Sequence, residues 1–125
     1  MPTPASFVEI DETLRRSLPR GELARIPRHP ERRDVLLALI CLRLIRRYPY
    51  SEPELNATLR GALDDLNARV DHVTCRRYLV DLGFLRRDRA GQRYFLYFPK
   101  IRETLAEEVI ESDQDFNGTA LASAG

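Results

Sequence analysis

The sequence predicts a mainly helical fold with one small β-hairpin, an α+β class. Apolar residues recur at three- and four-residue spacing through several segments that open on a capping residue or a proline. Two candidate strand segments, 84–87 and the aromatic-rich 92–98, flank a short turn with glycine, which is typical of a hairpin. With 125 residues, of which 43% are hydrophobic, the chain is predicted to form one domain with its own core.

The first half of the chain predicts two helices joined by an extended segment. Residues 6–18 carry apolar residues at helical spacing, namely Phe7, Ile10, Leu14 and Leu18. Residues 21–30 are predicted to be extended because Pro27 and Pro30 disfavour a helix before them. The second helix, at about 31–47, is apolar nearly all round, so it is predicted to be the central buried element.

Capping signals place the next two helices. Ser51 and Glu54 form a capping box for a helix that runs to about Asn67. Asp71 is the N-cap of a helix at 72–82, and Gly83 is predicted to end it in a left-handed conformation. A last amphipathic helix is predicted from apolar residues at helical spacing, namely Ile101, Leu105, Val109 and Ile110. Residues 113–125 are predicted to be frayed.

The helix at 72–82 has two distinct faces when its residues are placed about 100° apart. The inner arc is predicted to face the core and contains Cys75, Leu79 and Leu82, flanked by Val73 and Val80. The outer arc is predicted to face solvent and contains Thr74, Arg77, Tyr78 and Asp81. Arg76 falls on the inner side. We interpret it as a structural residue paired with a carboxylate such as Glu52 or Glu54, since a partly buried guanidinium needs such a partner.

Two helices followed by a basic hairpin are typical of a winged helix-turn-helix, here with extra N- and C-terminal helices. In that arrangement the second helix enters the DNA major groove and the hairpin contacts phosphates. The candidate DNA-binding residues are therefore Thr74, Arg77, Tyr78, Arg86, Arg87, Arg89 and Arg93. Two structural alternatives remain open: Arg77 pairs with Asp81 one turn later, and the hairpin charges merely discourage strand pairing at its edge.

The net charge of +1 conceals an asymmetry along the chain. Six of the 19 acids lie in residues 103–125, where there is no base, which leaves 13 acids against 20 bases in residues 1–102. A basic body with an acidic tail suits nucleic-acid binding, with the tail either modulating it or folding over the basic face. The tail equally suits an ordinary solubilising role.

Three blocks of the sequence resemble the bacterial domain of unknown function 2087. They are residues 21–27, 50–56 and 74–87, in the same order, and the resemblance covers residues 21–97. It implies a winged-helix-like fold and an association with helix-turn-helix transcriptional regulators. This sequence differs by a longer segment between Asn56 and Asp71, and by a single N-terminal helix where such regulators carry a separate DNA-binding domain.

Signals for catalysis or for a cofactor are lacking. His29, His72, Cys41 and Cys75 have no metal-ligand spacing, so we expect no metal, no cofactor and no enzyme activity. The longest apolar run is too short to span a membrane, and the N-terminus has no signal-peptide pattern. The expected location is cytoplasmic.

The sequence divides into an N-terminal helix or arm at 1–20, a winged-helix-like domain at 21–98, and a C-terminal acidic helix with a disordered tail at 99–125. The leading hypothesis is a transcriptional regulator that binds double-stranded DNA, as a homodimer through its amphipathic terminal helices. The alternative is a protein-interaction or ligand-sensing module that has no catalytic role and does not bind DNA.

Overall fold

The computed structural model describes residues 3–113 and has the predicted mainly helical composition with one hairpin. Strands β1 and β2 pair antiparallel, with Leu85 opposite Leu96. Residues 107–113 are also helical. The elements in chain order are α1 (Phe7–Ser17), α2 (Pro30–Cys41), α3 (Glu52–Asp65), α4 (His72–Asp81), β1 (Leu85–Arg87), β2 (Tyr94–Leu96) and α5 (Phe98–Thr104).

The predicted caps begin α3 and α4. The Ser51 hydroxyl accepts a hydrogen bond from the Glu54 backbone N–H at 3.3 Å, and the Glu54 carboxylate accepts one from the Ser51 N–H at 3.0 Å. Asp71 accepts from the Thr74 N–H at 2.7 Å. Gly83 has a φ of +84°, the left-handed conformation expected directly after α4.

One hydrophobic core joins all of these elements. Six of the 12 residues of α2 are buried, which confirms its predicted central position. α1 and α5 pack against α2, and α3 packs against both α2 and α4. The terminal segments belong to the same core, because Ile10, Val109 and Ile110 are buried in it.

The predicted end of α2 near residue 47 is wrong, because the helix ends at Cys41. The Arg43 and Leu44 N–H groups bond the carbonyls three residues earlier, at 3.1 and 3.0 Å, so the chain tightens into a turn. That turn places Leu44 in the core, and Arg47 with a φ of +67° redirects the chain toward α3. Arg46 and Arg47 led to the wrong bound, because basic residues are favourable at a helix C-terminus, but both lie beyond the end of α2.

The predicted single C-terminal helix is interrupted at Leu105. The N-terminal segment bonds here: the Ala5 N–H donates to the Thr104 carbonyl at 2.8 Å, and the Ala106 N–H donates to the Ala5 carbonyl at 2.9 Å. Leu105 consequently adopts an extended conformation. Residues 114–125, most of the tail predicted to be disordered, lie outside the described residues.

A third strand position connects the α2–α3 link to the hairpin. Tyr50 and Tyr94 exchange two backbone hydrogen bonds, 2.7 and 2.8 Å long, as an isolated antiparallel bridge. The hairpin is therefore attached to the start of α3. A connection of three residues between Asp81 and β1 also attaches it to α4. Within residues 3–113, no helix has the length and apolar character needed to cross a bilayer.

Candidate nucleic-acid interface

The inner face of α4 anchors the helix in the core. Cys75 and Leu79 are fully buried, and Val80 and Leu82 pack against the core from the side. The prediction that Val73 flanks the buried face is wrong, since its side chain is 42% exposed. At about 100° per residue, Val73 lies nearly opposite Cys75 and Leu82 on the helix, so it falls on the outer face.

The two adjacent arginines of α4 have different environments. The Arg76 side chain is 17% exposed and its Nη2 lies 3.1 Å from Oε1 of Glu52. Its Nη1 also donates to Oδ1 of Asn56 at 2.6 Å. Arg76 therefore joins α4 to two successive turns of α3 and is not available to a partner in solution.

Glu54, the other expected partner of Arg76, contacts other residues instead. Its carboxylate accepts hydrogen bonds from the Tyr48 hydroxyl and from the Ser51 N–H. These two bonds, in that order of importance, lower the pKa of Glu54 from 4.5 to about 2. Nη1 of Arg93 lies 3.6 Å from the same carboxylate, so Glu54 links the start of α3 to the hairpin.

The outer face of α4 is open. Thr74, Arg77 and Tyr78 are exposed, as the helical spacing predicts. In the described part of the chain, Arg77 forms no side-chain hydrogen bond or ion pair, so the alternative pair with Asp81 is not formed. Arg77 therefore presents an unneutralised charge beside a threonine hydroxyl and a tyrosine ring.

The hairpin arginines make few contacts with acids. The Arg86 guanidinium stacks 3.5 Å from the centroid of the Tyr97 ring, and Arg87 donates a hydrogen bond to the Tyr94 hydroxyl. Contacts of this kind hold a guanidinium in place without neutralising its charge. Arg89, at the hairpin tip, has no side-chain partner among residues 3–113.

The strand register separates the two arginines of β1. Arg86 lies opposite Phe95, and Arg87 lies opposite Tyr94. Because successive residues of a strand point to opposite faces, the two guanidinium groups leave the hairpin on different sides. The structure brings Arg87 and Arg93 together, where they line one concave surface with Glu52.

Four glutamates of the C-terminal segment do not neutralise this region. The side chains of Glu103, Glu107, Glu108 and Glu111 are exposed. Among residues 3–113, none of the four forms an ion pair with an arginine of α4 or of the hairpin. Asp115, the last acid of the tail, lies outside the described residues.

Sequence reasoning missed several contacts at this site, among them those of Arg76 with Asn56 and of Arg86 with Tyr97. Asn56 follows Glu52 by four residues, so helical spacing alone places both on the face that meets Arg76. The stacking of Arg86 on Tyr97 had no comparable signal, because it depends on the register of the hairpin.

Comparison with known proteins identified one family. A family model described as an uncharacterized protein conserved in bacteria, DUF2087, matches residues 22–96. The matched range contains α2, α3, α4 and both strands, and hence every candidate residue of α4 and the hairpin. No curated protein and no solved structure matches the chain.

Proposed function

This chain belongs to the DUF2087 family, and we propose that it is a DNA-binding transcriptional regulator or a regulator-associated domain of winged-helix type. The order of elements supports the winged-helix assignment: α2, the bridge at Tyr50, α3, α4 and then the hairpin. The bridge makes Tyr50 the third strand position of the sheet. In this arrangement α3 and α4 are the helix-turn-helix and the hairpin is the wing.

One observation carries the proposal. Every candidate DNA-binding residue is exposed, and four of the arginines are free of acidic partners within the described residues: Arg77, Arg86, Arg87 and Arg89. Cations left unpaired on an exposed helix and its adjoining hairpin suit a polyanionic partner, whose counterions they displace. Arg93 contributes less, since Glu54 lies beside it.

The proposed mechanism assigns separate tasks to the two elements. α4 enters the major groove, where Arg77 donates two hydrogen bonds to guanine and Thr74 and Tyr78 contact neighbouring base edges. The hairpin arginines bind phosphates and set the register of the protein on the duplex. Arg76 binds no DNA and holds α4 against α3 through Glu52.

The proposal includes a homodimer through the terminal helices, although only a small apolar surface on them is exposed. Most apolar residues of these helices lie in the core of the monomer. Phe7 and Val8 of α1 remain 52% and 75% exposed and form the apolar patch available to a second copy. A two-fold dimer would present two α4 helices to a palindromic site.

A second candidate function is a protein-interaction or ligand-sensing module that does not bind DNA. Val73 and Tyr78 support it, because they are 42% and 38% exposed on the face that carries Arg77. A tyrosine and an arginine exposed together are also typical of the centre of a protein interface.

Fluorescence anisotropy with labelled mixed-sequence duplex DNA at several salt concentrations tests the proposal. The wild-type chain should bind, and Arg86→Ala with Arg87→Ala should flatten the plot of log affinity against log salt by about 1 unit, or by about 2 units if both arginines touch phosphates from their two sides of the hairpin. Arg15→Ala with Arg20→Ala removes the same charge elsewhere and should keep the wild-type slope. Absence of binding at low salt overturns the proposal and favours the interaction module.

A further inference from the structure

A second basic region lies away from α4, where the end of α1 meets the start of α2. It is a cavity of about 470 Å³, a volume suited to a small ligand. Four arginines and one histidine contribute to its wall, and no acid of residues 3–113 does. The lining residues are Arg16, Ser17, Pro19, Ala24, Arg25, Pro27, Arg28, His29 and Arg32.

Three of these arginines carry unneutralised charge. Within the described residues, Arg25, Arg28 and Arg32 form no ion pair and no side-chain hydrogen bond. Arg16 differs, since its Nη2 lies 3.1 Å from Glu12. Acids do lie nearby, because Glu9, Glu12 and Glu31 line an adjoining cavity, but they do not neutralise these three guanidinium groups.

The loop that carries Arg25 and Arg28 is held in place. Leu23 and Ile26 are buried in the core on either side of Arg25. The Leu23 N–H donates to the Leu66 carbonyl at 3.2 Å, and the Arg69 N–H donates to the Leu23 carbonyl at 2.9 Å. The arginines therefore project from a fixed backbone, so an anion bound among them pays little of the cost of ordering the loop.

The wall also holds an unsatisfied polar atom. Ser17 Oγ is buried and has no hydrogen-bond partner among the described residues. Because this oxygen is shielded from solvent, a molecule in the cavity does not reach it, and the guanidinium groups alone provide the polar contacts. Pro19, Ala24 and Pro27 contribute apolar surface beside the guanidinium groups.

We propose that this cavity binds a small phosphate monoester, with the phosphoryl group held by Arg25, Arg28 and Arg32. Guanidinium groups suit a phosphoryl dianion because each donates two parallel hydrogen bonds. The apolar wall then contacts the organic part of the ester. This site shares no residue with α4 or the hairpin, so the proposal stands independently of DNA binding.

Isothermal titration calorimetry on the full chain tests the site with three probes: phenyl phosphate, inorganic phosphate and phenol. Phenyl phosphate should bind more tightly than inorganic phosphate, because the apolar wall adds contact with the ring, and phenol should not bind. Arg25→Ala with Arg28→Ala should weaken phenyl phosphate binding by more than about tenfold, since each lost charge-assisted hydrogen bond accounts for at least that factor.

The matched control is Arg15→Ala with Arg60→Ala, which removes the same charge outside the cavity and should leave the affinity unchanged. Circular dichroism verifies that both double variants fold. No binding at about 10 mM phenyl phosphate overturns the proposal, as does affinity retained in Arg25→Ala with Arg28→Ala. Displacement of phenyl phosphate by duplex DNA also overturns it, since the cavity would then be part of a nucleic-acid surface.

Discussion

Arg76 of α4 and Glu52 of α3 form an ion pair of 3.1 Å in which the arginine is largely buried and the glutamate is half exposed. Because Asn56 accepts a second hydrogen bond from the same guanidinium, the pair fixes the position of α4 relative to α3. The neighbouring Arg77 has no comparable contact within residues 3–113. Two consecutive arginines therefore differ in environment: Arg76 joins two helices, and Arg77 is exposed and free for the binding role proposed above.

Arg76→Ala should lower the free energy of unfolding by about 1–3 kcal/mol, since it removes a charge-assisted hydrogen bond and a partly buried ion pair. Arg77→Ala, the matched control, should change it by less than about 0.5 kcal/mol because its side chain is exposed and unpartnered. Urea denaturation measures both. Equal stability of the two variants would contradict the separation of roles.

Alanine substitutions at two glycines should have opposite effects. Gly83→Ala should destabilise the protein by about 1–2 kcal/mol, because its φ of +84° disfavours a side chain. Gly61→Ala should stabilise it by about 0.5–1 kcal/mol, since Gly61 lies inside α3. A Cβ at either position meets no atom within 4 Å, so sterics do not obscure the comparison. Thermal unfolding of both variants checks the signs.

Acid should weaken the contact between Tyr48 and Glu54. The pKa of Glu54 is lowered in the folded protein from 4.5 to about 2, so its contribution is present above pH 4.5 and is lost as the pH falls toward 2. Tyr48→Phe removes the largest cause, so this variant should be less stable than wild type at pH 7 and should lose less stability on acidification.

Urea midpoints measured between pH 7 and the acid range provide this comparison. Glu103→Gln is the control, because Glu103 is exposed and has no side-chain partner in the described part of the chain. It should reproduce the wild-type curve. If the urea midpoints of Tyr48→Phe and wild type fall in parallel with decreasing pH, the hydrogen bond from Tyr48 does not determine the loss of stability in acid.

Both cysteine thiols should be unreactive in the folded protein. Cys41 and Cys75 are fully buried, and burial raises the pKa of Cys41 well above its ordinary value and that of Cys75 to about 12. Since the thiolate is the reactive form, a disulfide reagent such as Ellman's should react with both thiols only after denaturation. Thr74→Cys on the outer face of α4 is the positive control. Rapid reaction of the native wild-type protein would contradict the packing described.

Local sequence signals predicted the parts of the fold that depend on neighbouring residues. The caps at Ser51 and Asp71, the left-handed Gly83 and the inner face of α4 all follow from spacing of four residues or fewer. The two errors in helix bounds have a different origin. α2 ends early because Leu44 is drawn into the core, and the C-terminal helix is interrupted because Ala5, a hundred residues away, bonds on either side of Leu105.

At the candidate site, too, the sequence predicted features that depend on neighbouring residues and missed contacts between distant ones. Helical spacing placed Arg76 inward and Arg77 outward. It did not indicate that Arg86 stacks on Tyr97 or that Glu54 turns to Tyr48 and Arg93, because those contacts require the hairpin register and the bridge between Tyr50 and Tyr94. The basic cavity was not predicted either, since its arginines come from a loop and two helices.

The most direct test of the proposed function is the salt dependence of duplex DNA binding by wild type and by Arg77→Ala with Arg89→Ala. Both residues are exposed and unpartnered in the described region, so the variant should remain folded. We expect weaker binding at every salt concentration and a plot of log affinity against log salt that is flatter by about 1 unit, from the phosphate contact of Arg89. A folded variant with wild-type affinity and slope, or a wild-type chain that binds no DNA at low salt, would contradict the account.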